Sequence, residues 1–510
     1  DGPMLEPILR HASGRSFREF VYGARARVAF LGGSGPGDNT ANLEMILKDR
    51  KNFSNLLGYT SWGHMIYTRR MATLEQAYAF LARLRRDIKP KAKTELFELQ
   101  QIARSHGAEY KLDYFDLNYW RERLVEKRFS LKEEYLREFF QLPNVLNGLF
   151  GLLQRLFGVE IVAADGDAHI WDPYVRFFRV READTGELIA SFFLDLHRRR
   201  AKKKPGFWHA KIQDYSTALG TERSGPRLPA AHIVCDFAQP DSNGQPTLLT
   251  HEDVRKLFHT MGGALRHLLC NQTEGLVAGT SGLEMDAVAI PAFFLERWAY
   301  DPTTLRSMAR HVETDEPLPE PAIDMIAATR TFHRGLGLLK RMTLAQIDLD
   351  LHTQYDPDGE LQVFDVANLI AGEFAVIPPR VQDRELCSAL ISDEYGGATL
   401  VADLWAEALA ADVLTEFETE GFDDERAVAR LGRKFRHTML APGGGRSPVS
   451  ALRDFLGRQP AFVAFLRHMG LEEQGIDYLQ NQGQDEYDDI NEEGDYQEET
   501  EEEYETQDSI

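Results

Sequence analysis

Sulfur, net positive charge and long apolar runs are all scarce in this sequence. Only three cysteines, Cys235, Cys270 and Cys387, occur in 510 residues. Their odd number, wide spacing and lack of any C-x-x-C pair exclude a disulfide framework and a cysteine-held structural zinc, and fit three idle or buried thiols in a reducing compartment. No apolar run approaches the roughly 20 residues that a membrane-spanning helix needs. The opening stretch, DGPMLEPILRHASG, lacks the basic-then-apolar pattern of a leader, so a targeting segment reads as removed or never present. Lys and Arg number 58 against 80 Asp and Glu, which leaves no global basic footprint for nucleic acid.

The charge that is present is unevenly placed. Fourteen Asp and Glu, with no Lys or Arg, lie in Asn481–Ile510, so the remainder carries 66 acidic against 58 basic residues. That stretch has too little apolar content to offset chain entropy and reads as a disordered, solubilising tail. Tyr487, Tyr496 and Tyr504 within it are candidate docking or modification points. The hydrophobic and charged fractions, 43% and 27%, are those of a globular protein.

The chain reads as a globular part over 1–480 and an acidic tail over 481–510. Within the globular part we expect a helical portion (1–150), a β-containing insert (160–240), and a second helical portion (250–480). Apolar residues recur at three- and four-residue intervals from Asn39 to about Gln141, the period of amphipathic helices. Leu31–Asp38, LGGSGPGD, interrupts as a loop and lacks the G-K-[ST] ending of a phosphate-binding loop. Two β-branched and aromatic runs flank Asp184-Thr185-Gly186, a hairpin signal. The basic run HRRRAKKKPGFWH reads as a solvated loop that the acidic tail could reach, and AAHIVCDFA as a strand. Thr250 is placed to cap a helix starting at His251, with Glu252 and Asp253 suited to its first turn.

That helix contains LFHTMGGALRHLL, which reads like a zinc-binding H-E-x-x-H helix with most of its donors replaced. Together with HIWDPYVRFFRVRE, SFFLDLH, LLTHEDVRKLFHTMGG, AGTSGLEMDAVAIPAFFLERWAYDP, DLWAEALAADVLTEFE, MLAPGGGRSPVSALRDFLGRQP and FLRHMGL, in that order, it resembles the thimet oligopeptidase group of zinc metallopeptidases, and within it the oligopeptidase A branch. The resemblance runs from about Leu5 to Leu471. It implies a mainly α fold with a small β-sheet, two lobes flanking a deep channel, and an N-terminal channel wall that this sequence lacks.

The same resemblance locates the functional positions. The family's H-E-F-G-H falls on His259, Thr260, Met261, Gly262 and Gly263. Its third zinc ligand, the Glu of D-A-V-E-x-P, falls on Ala289. Zinc needs three protein donors and an open position for water, and only His259 is retained. The family's substrate-binding histidine falls on Leu390, and its tyrosines on Gly396, Leu400, Val401 and Asp403; Trp405 is kept. His267 sits near the face of His259 but too far along the helix to share a metal ion. Glu284 and Asp286 lie beside the third-ligand position, with Asp286 read as structural support, and Gly443–Gly445 read as turn chemistry. AAHIVCDF matches the family's edge strand beside the substrate, where backbone pairing needs no catalytic residue.

From these positions we expect a catalytically inactive scaffold or accessory subunit of a larger assembly, with a protein partner and no cofactor. One alternative is a zinc oligopeptidase with a rearranged metal site. Another is a peptide-binding protein, possibly with its own tail in the cleft. The resemblance and the cysteine pattern point to a mitochondrion or plastid, with cytoplasm as the alternative.

Overall fold

The computed structural model describes residues 2–28, 38–129, 132–199, 203–221, 225–240, 245–378, 380 and 397–471. The loop expected at Leu31–Asp38 falls, except for Asp38, outside the described residues. So do Leu390, Gly396, Cys387 and the whole of the acidic segment.

Among the described residues eight helices come first: α1 (Gly2–His11), α2 (Arg15–Ala26), α3 (Thr40–Leu56), α4 (Trp62–Tyr67), α5 (Leu74–Ser105), α6 (Tyr114–Phe129), α7 (Glu133–Arg137) and α8 (Leu142–Phe157). Thr73 and Gln76 form a reciprocal cap at the start of α5. From there Leu74, Ala77, Phe80, Leu81, Leu84, Ile88 and Ala92 bury one stripe at helical spacing. Gly158 ends α8 in the left-handed region, φ 68°, a conformation that costs glycine least, and turns the chain directly into the sheet.

Seven strands follow among the described residues: β1 (Val159–Ala163), β2 (Val175–Glu182), β3 (Leu188–His197), β4 (Trp208–Gln213), β5 (Ser216–Thr221), β6 (Gly225–Arg227) and β7 (Ala230–Phe237). Five form one mixed sheet in the order β1-β2-β3-β7-β4, and β5 pairs with β6 separately. Among the described strands only β3 and β7 run parallel. The expected hairpin joins β2 to β3, with Gly186 at φ 72°.

Two expectations for this region need correcting. AAHIVCDF, read as an edge strand, is β7 and lies inside the sheet between β3 and β4. Its side chains are almost all buried, as a strand covered on both edges and both faces requires. The sheet ends instead on β4. The basic run is also not simply a solvated loop. Its Arg199 donates to Asp195 on β3 at 2.7 Å. Its Lys203 donates at 2.6 Å to the carbonyls of both His197 and Cys235. Asp195 is 1% exposed; burial alone would raise its pKa, but His232, the Arg199 hydrogen bonds and the Lys203 charge hold it well below the carboxylate range.

The further helices among the described residues are α9 (His251–Leu268), α10 (Met285–Val288), α11 (Ile290–Arg297), α12 (Pro302–Met308), α13 (Glu320–Thr329), α14 (Gly335–Thr353), α15 (Val363–Phe374), α16 (Val401–Glu420), α17 (Glu425–Phe435), α18 (Pro448–Leu456) and α19 (Val463–His468). Helices, strands and linkers share one large apolar core, in which Phe294 stacks on Phe435 at 4.5 Å and Trp298 stands edge-on to Phe417 at 5.5 Å. Trp405 packs against Phe462 at 4.7 Å in the same core. No helix among the described residues is long and apolar enough to cross a membrane.

Candidate active site

The site is built on α9, and the cap that starts this helix is the one its residues predict. Thr250 Oγ1 accepts from the Asp253 N–H at 3.1 Å, and Asp253 accepts from the Thr250 N–H at 3.0 Å. These bonds satisfy two of the helix's otherwise unpaired amides. Val254, Leu257, Phe258, Met261, Leu265 and Leu268 are buried on the inner stripe. The two glycines of HTMGG perform different steric tasks. A Cβ on Gly262 would lie 2.4 Å from the Pro291 carbonyl oxygen and 2.9 Å from Ala292 Cα, so this glycine lets α11 approach the backbone of α9. A Cβ on Gly263 would lie 2.4 Å from Cε1 and 2.9 Å from Nδ1 of His209. The imidazole of an edge-strand residue thus stands where a side chain at position 263 would begin.

His259 is held from the opposite side. Its Nδ1 is 2.9 Å from Glu296 Oε2 on α11, and its ring stands edge-on to Phe293 at 4.9 Å. The other Glu296 oxygen, Oε1, accepts from Arg255, one turn before His259, at 2.8 and 3.1 Å. Burial would raise the Glu296 pKa, but the hydrogen bond to His259 and the charge of Arg255 override it and keep the carboxyl far below its usual range. His209 moves the other way. Burial, and after it the proximity of His259 and His267, brings its pKa down to about 4, so near pH 7 it is a neutral imidazole able to accept or donate one hydrogen bond.

The other positions singled out in the sequence are occupied as follows. Thr260 is buried, and its hydroxyl donates back to the Lys256 carbonyl at 2.8 Å, which leaves it no role as a base. Ala289 caps α11 and packs against the core. His267 Nε2 lies 2.9 Å from the Gln213 carbonyl and 3.1 Å from that of Ala230, tying α9 to the sheet. Asp286 accepts the N–H groups of Met71 and Ala72, both at 3.0 Å, a supporting role.

Leu400 precedes α16, Val401 is buried at its start, and Asp403 lies in its first turn. This turn is fixed by buried Asp348, which accepts from the N–H groups of Ala398, Thr399 and Leu400 at 2.9, 2.7 and 3.0 Å. Gly443, at φ 53°, passes so close to Val277 that a Cβ would be 2.6 Å from its carbonyl oxygen, in keeping with turn chemistry.

Sequence reasoning missed His209, Glu296 and Arg255. A signal existed for two of them. Arg255 and His259 stand four residues apart, so they share a helix face and call for a carboxylate opposite. Nothing local marked His209, which belongs to the site only because β4 is the terminal strand of the sheet and packs on α9.

Among the described residues, no three His, Cys, Asp or Glu side chains converge to hold a metal ion. His209 and His259 supply two imidazoles, while Glu296 is turned to His259 Nδ1 and Arg255. The side chains present therefore do not fit the three-donor zinc site of the family pattern.

The chain belongs to Peptidase family M3, whose pattern matches residues 8–471. It is 40% identical over 476 residues to the organellar oligopeptidase A, chloroplastic/mitochondrial, of Arabidopsis thaliana, covering 92% of this chain and 59% of that protein. To oligopeptidase A of Escherichia coli it is 30% identical over 477 residues, covering 92% of this chain and 68% of the relative. Among solved structures, PZ peptidase A with an inhibitor superposes with a TM-score of 0.54 at 13% identity, over 94% of this chain and 71% of that one, a likeness of fold.

These relatives overturn the expectation of an inactive scaffold. Proteins 30–40% identical over nine-tenths of the chain are named as oligopeptidases, and nothing in the structure identifies the chain as a scaffold. That expectation treated each replaced residue as a loss. It took no account of His209, which reaches the Gly263 position from another element.

Proposed function

We propose that the protein acts on short peptides, as an oligopeptidase whose centre is rearranged around His209, His259 and Glu296. The observation that carries this reading is the His209 ring at the space of the residue-263 side chain, which returns a second imidazole to the neighbourhood of His259. The names of the relatives support peptide cleavage as the activity. As the chain spans 59% of the organellar relative's length, the activity of the whole protein is part of the proposal.

The chemistry follows from the contacts. β4 pairs with β7 on one side and ends the sheet, so an extended peptide can add to its outer edge through backbone hydrogen bonds. Glu296 fixes the orientation of His259 through Nδ1, leaving Nε2 as the ring's working nitrogen. His209, neutral near pH 7, can take the proton that an attacking water gives up as it bonds to the carbonyl carbon and pass it to the amine nitrogen that leaves when the C–N bond breaks, or donate a hydrogen bond to the polarised carbonyl. No step is routed through zinc. The two-lobed channel and a mitochondrial, plastid or cytosolic location are further parts of this reading; the similar Arabidopsis proteins include an organellar and a probable cytosolic oligopeptidase A.

The test is to incubate the purified protein with short synthetic peptides and follow products by mass spectrometry, beside His259→Ala and His209→Ala. Cleavage that disappears in both variants is expected. Absence of products, or products undiminished in both variants, would refute the reading. Zinc per chain, in protein purified without chelator, then separates an imidazole centre from one completed by donors outside the described residues.

A further inference from the structure

A cavity of about 610 Å³ opens between α1, α2 and α6 on one side and α9, α14 and α15 on the other. Its lining includes seven Arg or Lys side chains against two Glu. Three arginines, Arg297, Arg334 and Arg341, converge on the single buried carboxylate of Glu407, at 3.2, 3.6 and 2.6 Å. Two of them, Arg334 and Arg341, face the cavity. Arg121, on α6, also lines it; its guanidinium reaches the Phe332 carbonyl at 3.5 Å and forms no ion pair within 4 Å among the described residues. The neighbouring Glu122 is engaged by Arg10 at 3.8 Å. Burial lowers the pKa of both Arg121 and Arg334, and the nearby carboxylates do not fully offset it. On the wall Arg255 is paired with Glu296 and Arg380 with Glu19 and Asp113; the excess positive charge is that of three arginines on the one Glu407 carboxylate and of Arg121, an arrangement that favours an anionic occupant.

The rest of the lining narrows the class of anion. Leu5, Leu9, Leu117, Leu336 and Leu339 also line it, which suits carboxylates accompanied by apolar side chains better than a bare phosphate. Arg255 lines the cavity and also holds Glu296, the partner of His259, so cavity and candidate active site are contiguous. Met469, two residues before the last one described, contributes to the wall. Beyond it the sequence continues to the acidic segment Asn481–Ile510, in which Tyr487, Ile490, Tyr496 and Tyr504 separate the carboxylates.

We propose that this cavity is a binding site for acidic peptides, with Arg121, Arg334 and Arg341 taking side-chain carboxylates and the leucines taking the apolar residues between them. The inference rests on the peptide reading above and adds a substrate class to it. The occupant is a separate acidic polypeptide; occupancy by the chain's own acidic segment is the competing outcome that the test separates.

Three proteins separate the possibilities. They are the unaltered chain, a chain with the 14 acidic residues of Asn481–Ile510 changed to Asn and Gln, and the neutralised chain that also carries Arg121→Gln and Arg334→Gln. The probe is a fluorescent peptide with the sequence of Asp485–Tyr496, followed by anisotropy beside an otherwise identical probe with Asn and Gln for Asp and Glu. The acidic probe is expected to bind the neutralised chain, to weaken as salt is raised, and to bind the double arginine variant about tenfold more weakly or worse.

Weaker binding to the unaltered chain would support occupancy by its own segment; equal binding would support a separate peptide. The melting temperature of the arginine variant provides the control. Removing incompletely compensated charge should leave it unchanged or raise it, so lost affinity could not be ascribed to unfolding. Equal binding of the neutral probe, or full binding by the arginine variant, would overturn the proposal. Binding of inorganic triphosphate without binding of the acidic peptide would also overturn it, in favour of a phosphoryl ligand. The readout is binding by arginine variants, whereas the oligopeptidase reading is judged by cleavage in histidine variants, so the two can fail separately.

Discussion

Gly263→Ala tests whether the His209 ring occupies the position 263 side-chain space. In an ordinary helix interior this change stabilises by about 0.5–1 kcal/mol, because glycine loses more backbone freedom on folding. Here the new methyl carbon would be placed 2.4 Å from His209 Cε1. Overpacking of that kind costs about 1–3 kcal/mol, so the clash outweighs the helical gain and the net loss is roughly 0.5–2 kcal/mol. In a His209→Ala background the obstruction is gone and the same substitution should stabilise.

The sign reversal amounts to a coupling of about 1–3 kcal/mol between residues on separate elements. With an unfolding entropy near 2.1 cal/mol/K per residue, a chain of 510 residues shifts by about 1 °C per kcal/mol. Melting curves of the wild type, both single variants and the double variant should therefore show Gly263→Ala lowering the midpoint by about 0.5–2 °C alone and raising it by up to about 1 °C without His209. Additive shifts would mean that the ring is elsewhere, and the account of a rearranged centre would lose its main support.

Gly262→Ala should cost more than Gly263→Ala and should not be rescued at position 209, because its obstacles are the backbone of Pro291 and Ala292; comparing the two melting midpoints checks this. Acid should destabilise the fold before its carboxylates titrate. His209 and His251 have folded pKa values lowered by burial from 6.5 to about 4, so each contributes stability that is full above about pH 6.5 and is lost as pH falls toward 4, on the order of 3 kcal/mol. A midpoint flat from pH 7 to pH 5, or one whose fall is unaffected by His209→Gln, would contradict this. Asp195→Asn leaves Arg199 and Lys203 without their buried carboxylate and should destabilise by about 3–5 kcal/mol, readable as a lowered urea midpoint. Asp348→Ala strips three N–H groups of their acceptor at the start of α16; a loss of several kcal/mol is expected, and a change below about 1 kcal/mol in the denaturation midpoint would count against that role.

Much of this protein was legible residue by residue, for physical reasons that are local. The Thr250 cap follows from a threonine three residues before an acidic side chain, a pairing closed within one turn. The β2–β3 hairpin follows from Asp184-Thr185-Gly186, since a glycine at φ 72° needs no distant partner. Family membership was equally legible, because ordered motifs from Leu5 to Leu471 are a property of the chain alone.

What went astray was in each case a question of which elements become neighbours. AAHIVCDF has the composition of a strand wherever it sits; only the pairing of β4 onto β7 places it inside the sheet. The basic run looked solvated until Asp195 drew Arg199 and Lys203 inward. Missing donors at Gly263 and Ala289 suggested a lost function, because a sequence reports what a position lacks and not what fills the space. The sequence by itself determined the mainly helical class with a small sheet, the Thr250 cap and the family. The tertiary structure alone decided that His209 stands against Gly263, that Glu296 orients His259, and that arginines from distant segments line one cavity. Hydrogen-bonded turns close within a few residues, whereas packing and charge compensation depend on distance in space.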